Sequence, residues 1–320
     1  MRRIAVLAAA VAAIWAALPA TAWAQSSRTY VSGTGRGTLC TLTAPCATFQ
    51  AAHDTTAPRG VLTCLDAGEY GPVNITKSIT IDCVATGATI LGNTFGGVFI
   101  QSPDPAPVVV RLRGLTIDGG RAGRAGIRMV TGGVLHVEHC RIFGFTHHGH
   151  TAAGILLDPL IGLRLDASIA DTIVTGNGFS AGASPHAGGG ILVNGGGPAH
   201  VVLERVRIAH NDSVGLRVST LGSDPAVVLV RDSVIEGNAR EGIEVRADTN
   251  AAVARVSLDR TSVIMNGGVG IAALDNALVT IGSATIVGNG SAYDIARTAR
   301  VVSYQNNQTD GTPTGALTLR

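Results

Sequence analysis

One pattern of slots recurs along most of the chain, always in the same order. In residues 228–245, Val228, Val230, Ser233 and Ile235 alternate toward one side. Asn238 closes the run, and Gly242, Ile243 and Val245 open the next. Val201, Leu203, Val206 and Ile208 precede Asn211 and then Gly215, Leu216 and Val218. Val256, Leu258, Thr261 and Val263 precede Asn266, and Val279, Ile281, Ala284 and Ile286 precede Asn289. Upstream, Ala167, Ile169, Thr172 and Val174 lead to Asn177, and the coils ending at Ile142 and Ile117 fill the same slots. The last apolar slot falls at 117, 142, 174, 208, 235, 263 and 286, with spacings of 23 to 34 residues. A period in this range means stacked supersecondary units.

The strand period of two and the β-branched side chains exclude helical repeats. A leucine-dominated frame is absent, and the period is too short for propeller blades. The reading is an all-β right-handed parallel β-helix, a single-stranded solenoid. One coil cannot bury its own Val and Ile side chains, whereas coils stacked about 4.8 Å apart share one continuous core. A Gly-rich β-sandwich is the alternative, but a sandwich has no reason to keep a fixed slot order through seven repeats. The Asn slot is placed at a corner. There Asn is expected to adopt the left-handed backbone conformation and to bond its amide to the next Asn in the stack.

Residues 1–24 read as a secretory signal: Arg2 and Arg3, an apolar stretch over 4–18, and Ala22-Trp23-Ala24 as a small-x-small cleavage site. Residues 25–60 form a leader and cap, 61–304 the β-helix and 305–320 a C-terminal tail. Within the leader, residues 48–55 offer a short amphipathic helix with Phe49, Ala52 and His53 inward, to plug the open end of the solenoid. Ile79 and Ile81 are read as continuing the strand begun by Val73 and Ile75. Without the signal the chain carries 22 basic and 22 acidic residues, a balance with no general attraction for nucleic acid. No later stretch reads as a membrane span. The expected location is periplasmic, extracellular or at the cell surface. In an exported chain the five cysteines suggest disulfides: Cys40 with Cys46, and Cys64 with Cys83 on adjacent rungs. Cys140 fills an inward slot and reads as a packed thiol rather than a nucleophile.

The run Cys46-Ala47-Thr48-Phe49-Gln50-Ala51-Ala52, followed by a strand and Gly68-Glu69-Tyr70, is similar to the N-terminal cap and first strand of the pectate-lyase-like β-helix superfamily. The Asn-x-x-x-Gly-Ile-x-Val repeats resemble the generic β-helix repeat of exported bacterial proteins in that superfamily. The resemblance spans roughly residues 29–310. It implies the fold, and with it a range of activities: pectate and alginate lyases, polygalacturonases, mannuronan epimerases, tailspikes and adhesins. An extracellular or cell-surface polysaccharide is the partner it implies. A site must therefore be argued from residues.

Such enzymes build on the outer face of one strand column, here Arg128, Leu156, Leu192, Arg217, Glu244 and Ala272, with Asp158, Asn194 and Arg246 nearby. No clustered carboxylates for calcium appear on adjacent coils. The Asn-Thr-Asp, Asp-Asp and Asp-Pro-His motifs of the polygalacturonases and epimerases are absent. Arg217 and Glu244, one coil apart, read as an exposed ion pair or as a catalytic pair. The other constellation is a histidine group. His147, His148 and His150 lie between Phe145, in the Asn slot, and Gly154; His186 lies between Asn177 and Gly190; His210 precedes Asn211. Regular coils place three residues between these slots, and these two place eight and twelve. Insertions on a rigid scaffold are where sites lie. These imidazoles are candidate ligands for a divalent metal ion, and His148, His186 and His210 candidate catalytic bases; alternatively they are polar loop residues with no shared ligand. The chain retains no Trp after the signal and few other aromatics, which argues against a sugar groove walled by rings. Two functions remain: a non-catalytic surface, adhesive or carbohydrate-contacting module, or a polysaccharide lyase, hydrolase or epimerase with its site on the loops at 145–154 and 177–190.

Overall fold

The computed structural model describes residues 25–103, 106–147, 151–179, 188–220, 223–247, 252–296, 298–310 and 317–319. Residues 1–24, read above as a signal, and His148, His150 and His186 lie outside the described residues. Each regular coil contributes one strand to each of three parallel sheets, as in Ala226–Arg231, Val234–Glu236 and Ile243–Ala247. We call these sheets A, B and C. Among the described residues, sheet A has 12 strands and sheets B and C have nine each. Every coil pairs in register with the coils before and after it, so Val201, Val228, Val256 and Val279 stack as one column and Ile208, Ile235, Val263 and Ile286 as another. Those columns are buried and form the core.

Two details of the register differ from the sequence reading. Val73–Ile75 belongs to sheet C and Ile79–Asp82 to sheet A, so the chain turns a corner between them where one strand was expected. At the second corner, the left-handed residue is the one before the asparagine. Gly176, His210, Gly237, Met265 and Gly288 have φ between +52° and +69°. Asn177, Asn211, Asn238 and Asn266 are instead buried beside the core. The physical reason is geometric: the sharp bend sits one residue earlier, which turns the Asn amide inward rather than toward solvent.

The amides then form the stack that was expected. Nδ2 of Asn177, Asn211, Asn238 and Asn266 donates to Oδ1 of the next asparagine at 3.1, 2.9, 2.8 and 2.9 Å. Each Oδ1 also accepts the backbone N–H of the preceding asparagine, as Asn238 does for Asn211 at 3.1 Å. The remaining Nδ2 proton goes to a carbonyl one coil back, as from Asn238 to Ile208 at 3.3 Å. This ladder dictates the glycine that follows it. A Cβ on Gly215 or Gly242 would lie 2.7 Å from Nδ2 of Asn238 or Asn266, with backbone carbonyls equally close. At one end the ladder stops at Phe145, whose N–H donates to Asn177 Oδ1 at 3.2 Å and whose ring is fully buried against Gly123 and Gly126.

The first corner carries charge instead. His139, Asp171, Arg205, Asp232 and Arg260 all have φ near +50° there, between sheets A and B. Arg205 reaches back to Asp171 at 2.7 Å, and Arg260 to Asp232 at 2.7 Å. Arg113 bridges Asp82 and Glu138 at 2.8 and 3.1 Å. These pairs are solvated and individually worth little, but they alternate in sign from coil to coil and penalise a slipped register.

A helix, α1 (Phe49–Thr55), covers the first coil and buries Phe49, Ala52 and His53. Thr48 caps it, its hydroxyl accepting the Ala51 N–H at 3.2 Å. Phe49 packs on Tyr70 with ring centroids 4.9 Å apart. His53 Nε2 accepts the Thr76 N–H at 3.3 Å, and Nδ1 lies 2.9 Å from Asp54. The leader is anchored at Asp66, which accepts hydrogen bonds from Ser32 and Gly33 at 2.5 and 2.9 Å and from the Tyr70 hydroxyl; these pull its carboxyl down to about 2. Both disulfides form, Cys40–Cys46 and Cys64–Cys83, with Cα atoms 4.6 and 4.9 Å apart. Among the described residues no helix is long and apolar enough to cross a membrane.

Two outcomes test this account. Asn238→Ala strands two buried donors on Asn211, each costing about 1–3 kcal/mol, and Gly242→Ala forces a backbone clash. Both should lower the urea midpoint sharply, while Ser257→Ala on the outer face of sheet A should not. Burial also holds the His53 imidazole below its ordinary value of 6.5. An unfolded chain then binds the proton that the folded chain refuses, so stability is full above 6.5 and falls as the pH drops below it. The protection factor of the Thr76 amide should fall as the pH drops below 6.5, and His53→Gln should remove that dependence.

Candidate functional site

Cross-strand register places the expected outward column on sheet C, running from Arg128 through Leu156, Leu192, Arg217 and Glu244 to Ala272. Phe99 extends it by one coil. Its two ends differ in character.

In the middle, Arg217 Nε and Nη2 both lie 3.2 Å from Glu244 Oε2. The pair forms, but it is not the exposed pair the sequence suggested: Arg217 is 5% exposed and Glu244 4%. Leu156 and Leu192 are buried too, and pack with Ala125, Ala153 and Val214 into an apolar cluster separate from the core. Register fixes which way a side chain points, not whether anything lies over it. Ser219 donates to Asn194 Oδ1 at 3.1 Å beside the pair. Farther along, Arg246 lies 3.5 Å from Asp275.

Toward the N-terminal coils the face is open. The Arg128 guanidinium lies 5.8 Å from the Phe99 ring centroid and is held by Asp158 at 3.1 Å. Beside it is a groove of about 250 Å³ lined by Gln50, Asn74, Asn93, Phe95 and Phe99. Gln50, on α1, accepts the Asn74 N–H at 2.8 Å. Asn93 folds a tight turn, its Oδ1 accepting the Phe95 N–H at 2.9 Å and its carbonyl accepting Gly96 N–H at 3.0 Å. That turn presents Phe95 at 80% exposure. The arrangement suits a hydroxylated ring: an aromatic face for its C–H side, and amides, a guanidinium and a carboxylate for its oxygens. Neither phenylalanine was singled out in the sequence. Phe99 was legible, since it alternates with the inward Val98 and Ile100; Phe95 sits in a turn that carries no period.

The histidine group is only partly visible. His147 is half-buried at the start of its insertion, and His210 is an exposed corner residue whose ring lies over Gly237. Among the described residues no three His, Cys, Asp or Glu side chains are grouped to hold a metal. Cys140 is buried, its thiol pushed up to about 11 chiefly by that burial and directed 3.2 Å from the Glu138 carbonyl, which makes it a poor nucleophile.

No family model and no curated protein matches this sequence. Solved structures do. Over 92% of this chain and 79% of the other, the fold is similar to pectate lyase Pel9A, with a TM-score of 0.62 at 15% identity. An alginate lyase from Paenibacillus sp. str. FPU-7 aligns over 92% of this chain and 98% of its own, with a TM-score of 0.48 and 15% identity. The A-module of the Azotobacter vinelandii mannuronan C-5 epimerase AlgE4 aligns over 76% and 72%, at 0.47 and 17%. The fold is the right-handed parallel β-helix of pectate-lyase type.

The buried pair makes a direct test. Arg217→Met alone breaks a buried ion pair, at a cost of up to about 3–5 kcal/mol, whereas adding Glu244→Leu should recover part of that loss. Urea unfolding of the two single variants and the double variant reads the coupling.

Proposed function

We propose that this chain is an exported β-helix that holds polysaccharide along the outer face of sheet C, with the groove between Phe95, Phe99 and the Arg128–Asp158 pair as its principal contact. The groove carries the proposal. An exposed aromatic on a stiff turn, beside three amides and an anchored guanidinium, is costly to keep in water and matched to a sugar ring. Residues 1–24 act as the export signal. The two disulfides support an oxidising compartment, periplasmic or outside the cell. By its name, the pectate lyase that shares the fold acts on an acidic polymer, which bears on the class of glycan.

Catalysis on uronic-acid polymers is the second reading, as a lyase, hydrolase or epimerase. It is favoured by the buried Arg217–Glu244 pair, which stands in the outer column next to the coils with long insertions. In that reading Arg217 neutralises a substrate carboxylate and Glu244 takes a proton, while His148, His186 and His210 remain candidate bases and, with His147 and His150, candidate ligands for a divalent metal.

One experiment addresses both. The full chain is offered a panel of uronic-acid and neutral polymers, with and without calcium or zinc, and both retention and the release of unsaturated or reducing ends are measured. Retention without turnover, lost in Phe95→Ala and Phe99→Ala, is the expected result. Turnover lost in Glu244→Gln would promote the second reading. Neither retention nor turnover across the panel would remove the proposal.

A further inference from the structure

A second groove lies on another face. Sheet B in its early coils offers a cavity of about 470 Å³ lined by Asp118, Arg121, Arg141, Phe143, Gly144 and Thr175. This is in the size range of small-ligand sites. Its floor exists because two corner positions lack a side chain. Gly144 and Gly176 have φ of +77° and +64°, in the column that His210 and Met265 occupy at +52°. Side chains are therefore tolerated in that conformation, and glycine is not obligatory there. A Cβ on Gly176 would meet nothing within 4 Å. The bare corners leave a space rather than fill a steric need.

The cations around this space differ from Arg207 on the same sheet and from the arginines of the first corner. Those are tied to carboxylates on neighbouring coils: Arg207 to Glu236 at 2.7 Å, Arg205 to Asp171 at 2.7 Å, Arg260 to Asp232 at 2.7 Å. Among the described residues neither Arg121 nor Arg141 has a carboxylate at ion-pair distance. Arg141 instead lies 5.1 Å from the centroid of Phe143. That stacking positions its guanidinium while leaving its N–H groups free to donate. The Asp118 carboxylate, which accepts the Gly120 N–H at 2.9 Å, and Thr175 line the same groove.

We propose that this sheet B groove binds an acidic sugar, a hydroxylated ring bearing a carboxylate or sulfate. Two donor-only cations select the oxyanion. Asp118 and Thr175 accept from ring hydroxyls, and a carboxylate in the site disfavours both a bare inorganic anion and a densely charged chain such as nucleic acid. The groove is separate from the one on sheet C and does not depend on the function assigned to it.

The full chain is titrated calorimetrically with trigalacturonate, its methyl ester, a sulfated disaccharide and sodium sulfate. Binding of the acidic sugars, but not of the ester, is expected. Arg141→Gln should weaken it by about tenfold, the effect of losing one charge-assisted hydrogen bond. Gly176→Met fills the floor with a side chain that the same column already carries at Met265, and should weaken binding comparably while lowering the urea midpoint only by the strain of one left-handed side chain. Phe95→Ala, beside sheet C, should leave unchanged the component of binding that Arg141→Gln removes. Equal binding of the methyl ester, full competition by sulfate alone, no binding at all, or loss of that component in Phe95→Ala with none in Gly176→Met would each overturn the assignment.

Discussion

The asparagine ladder is the contact on which the rest of the structure depends. Each amide is saturated: Oδ1 takes two N–H groups from the coil before, and Nδ2 gives one proton to the coil after and one to a carbonyl behind. A buried polar network is worth having only when every member is satisfied. Here the saturation spans three coils, so each corner is fixed by its neighbours on both sides. The ladder also explains the sequence around it. It demands glycine at Gly190, Gly215, Gly242 and Gly270, where a Cβ would lie 2.7–2.8 Å from an amide nitrogen. It demands a left-handed residue immediately before each asparagine, which glycine meets most cheaply and His210 and Met265 meet at some strain. The conspicuous Asn-x-x-x-Gly spacing is thus one packing constraint seen twice.

Because the inward slots are committed to packing, chemistry is left to the outward ones, and the three outer faces have diverged. The edge between sheets A and B is a run of alternating charges that neutralise one another across coils. Sheet C carries a buried ion pair and an apolar cluster at its centre and an aromatic groove toward α1. Sheet B carries a groove with Arg141 stacked on Phe143 beside bare corners. The overall balance of 22 acidic and 22 basic residues over positions 25–320 conceals this division. Net charge reports on average attraction, whereas recognition depends on where a cation lacks its partner.

This also separates what the sequence made legible from what it did not. Stacked coils, the amide ladder, the helix over 49–55, both cysteine pairings and the outward column of sheet C follow from spacing and alternation, because each is a property of one coil repeated. The position of the bend relative to Asn238 did not follow, since a one-residue offset leaves every spacing unchanged. The burial of Arg217 and Glu244 did not follow either: alternation orients a side chain but is silent about its cover. The insertions carrying His147 and its neighbours have no period, so nothing in the pattern could say where those rings point. Phe95 escaped for the same reason.

The irregular positions are not scattered. From Asn211 to Asn266 the second corner keeps its three-residue link to the glycine, and these coils are close copies. Before them lie the turn at Asn93, the corner at Gly120, Phe145 in the asparagine slot and both long insertions, all along the edge joining sheets B and C. Phe145 is the hinge between the two regimes, since its buried ring replaces an amide and ends the ladder. Upstream of it the corner is no longer held by amide-to-amide bonds, although the insertion after Asn177 leaves a laddered corner as well. Both grooves fall in this early part of the solenoid, within the coils that gave up the ladder or border its end. A scaffold whose regular half supplies stiffness and whose irregular half supplies contacts is what coil-by-coil packing permits, because each coil answers only to its neighbours.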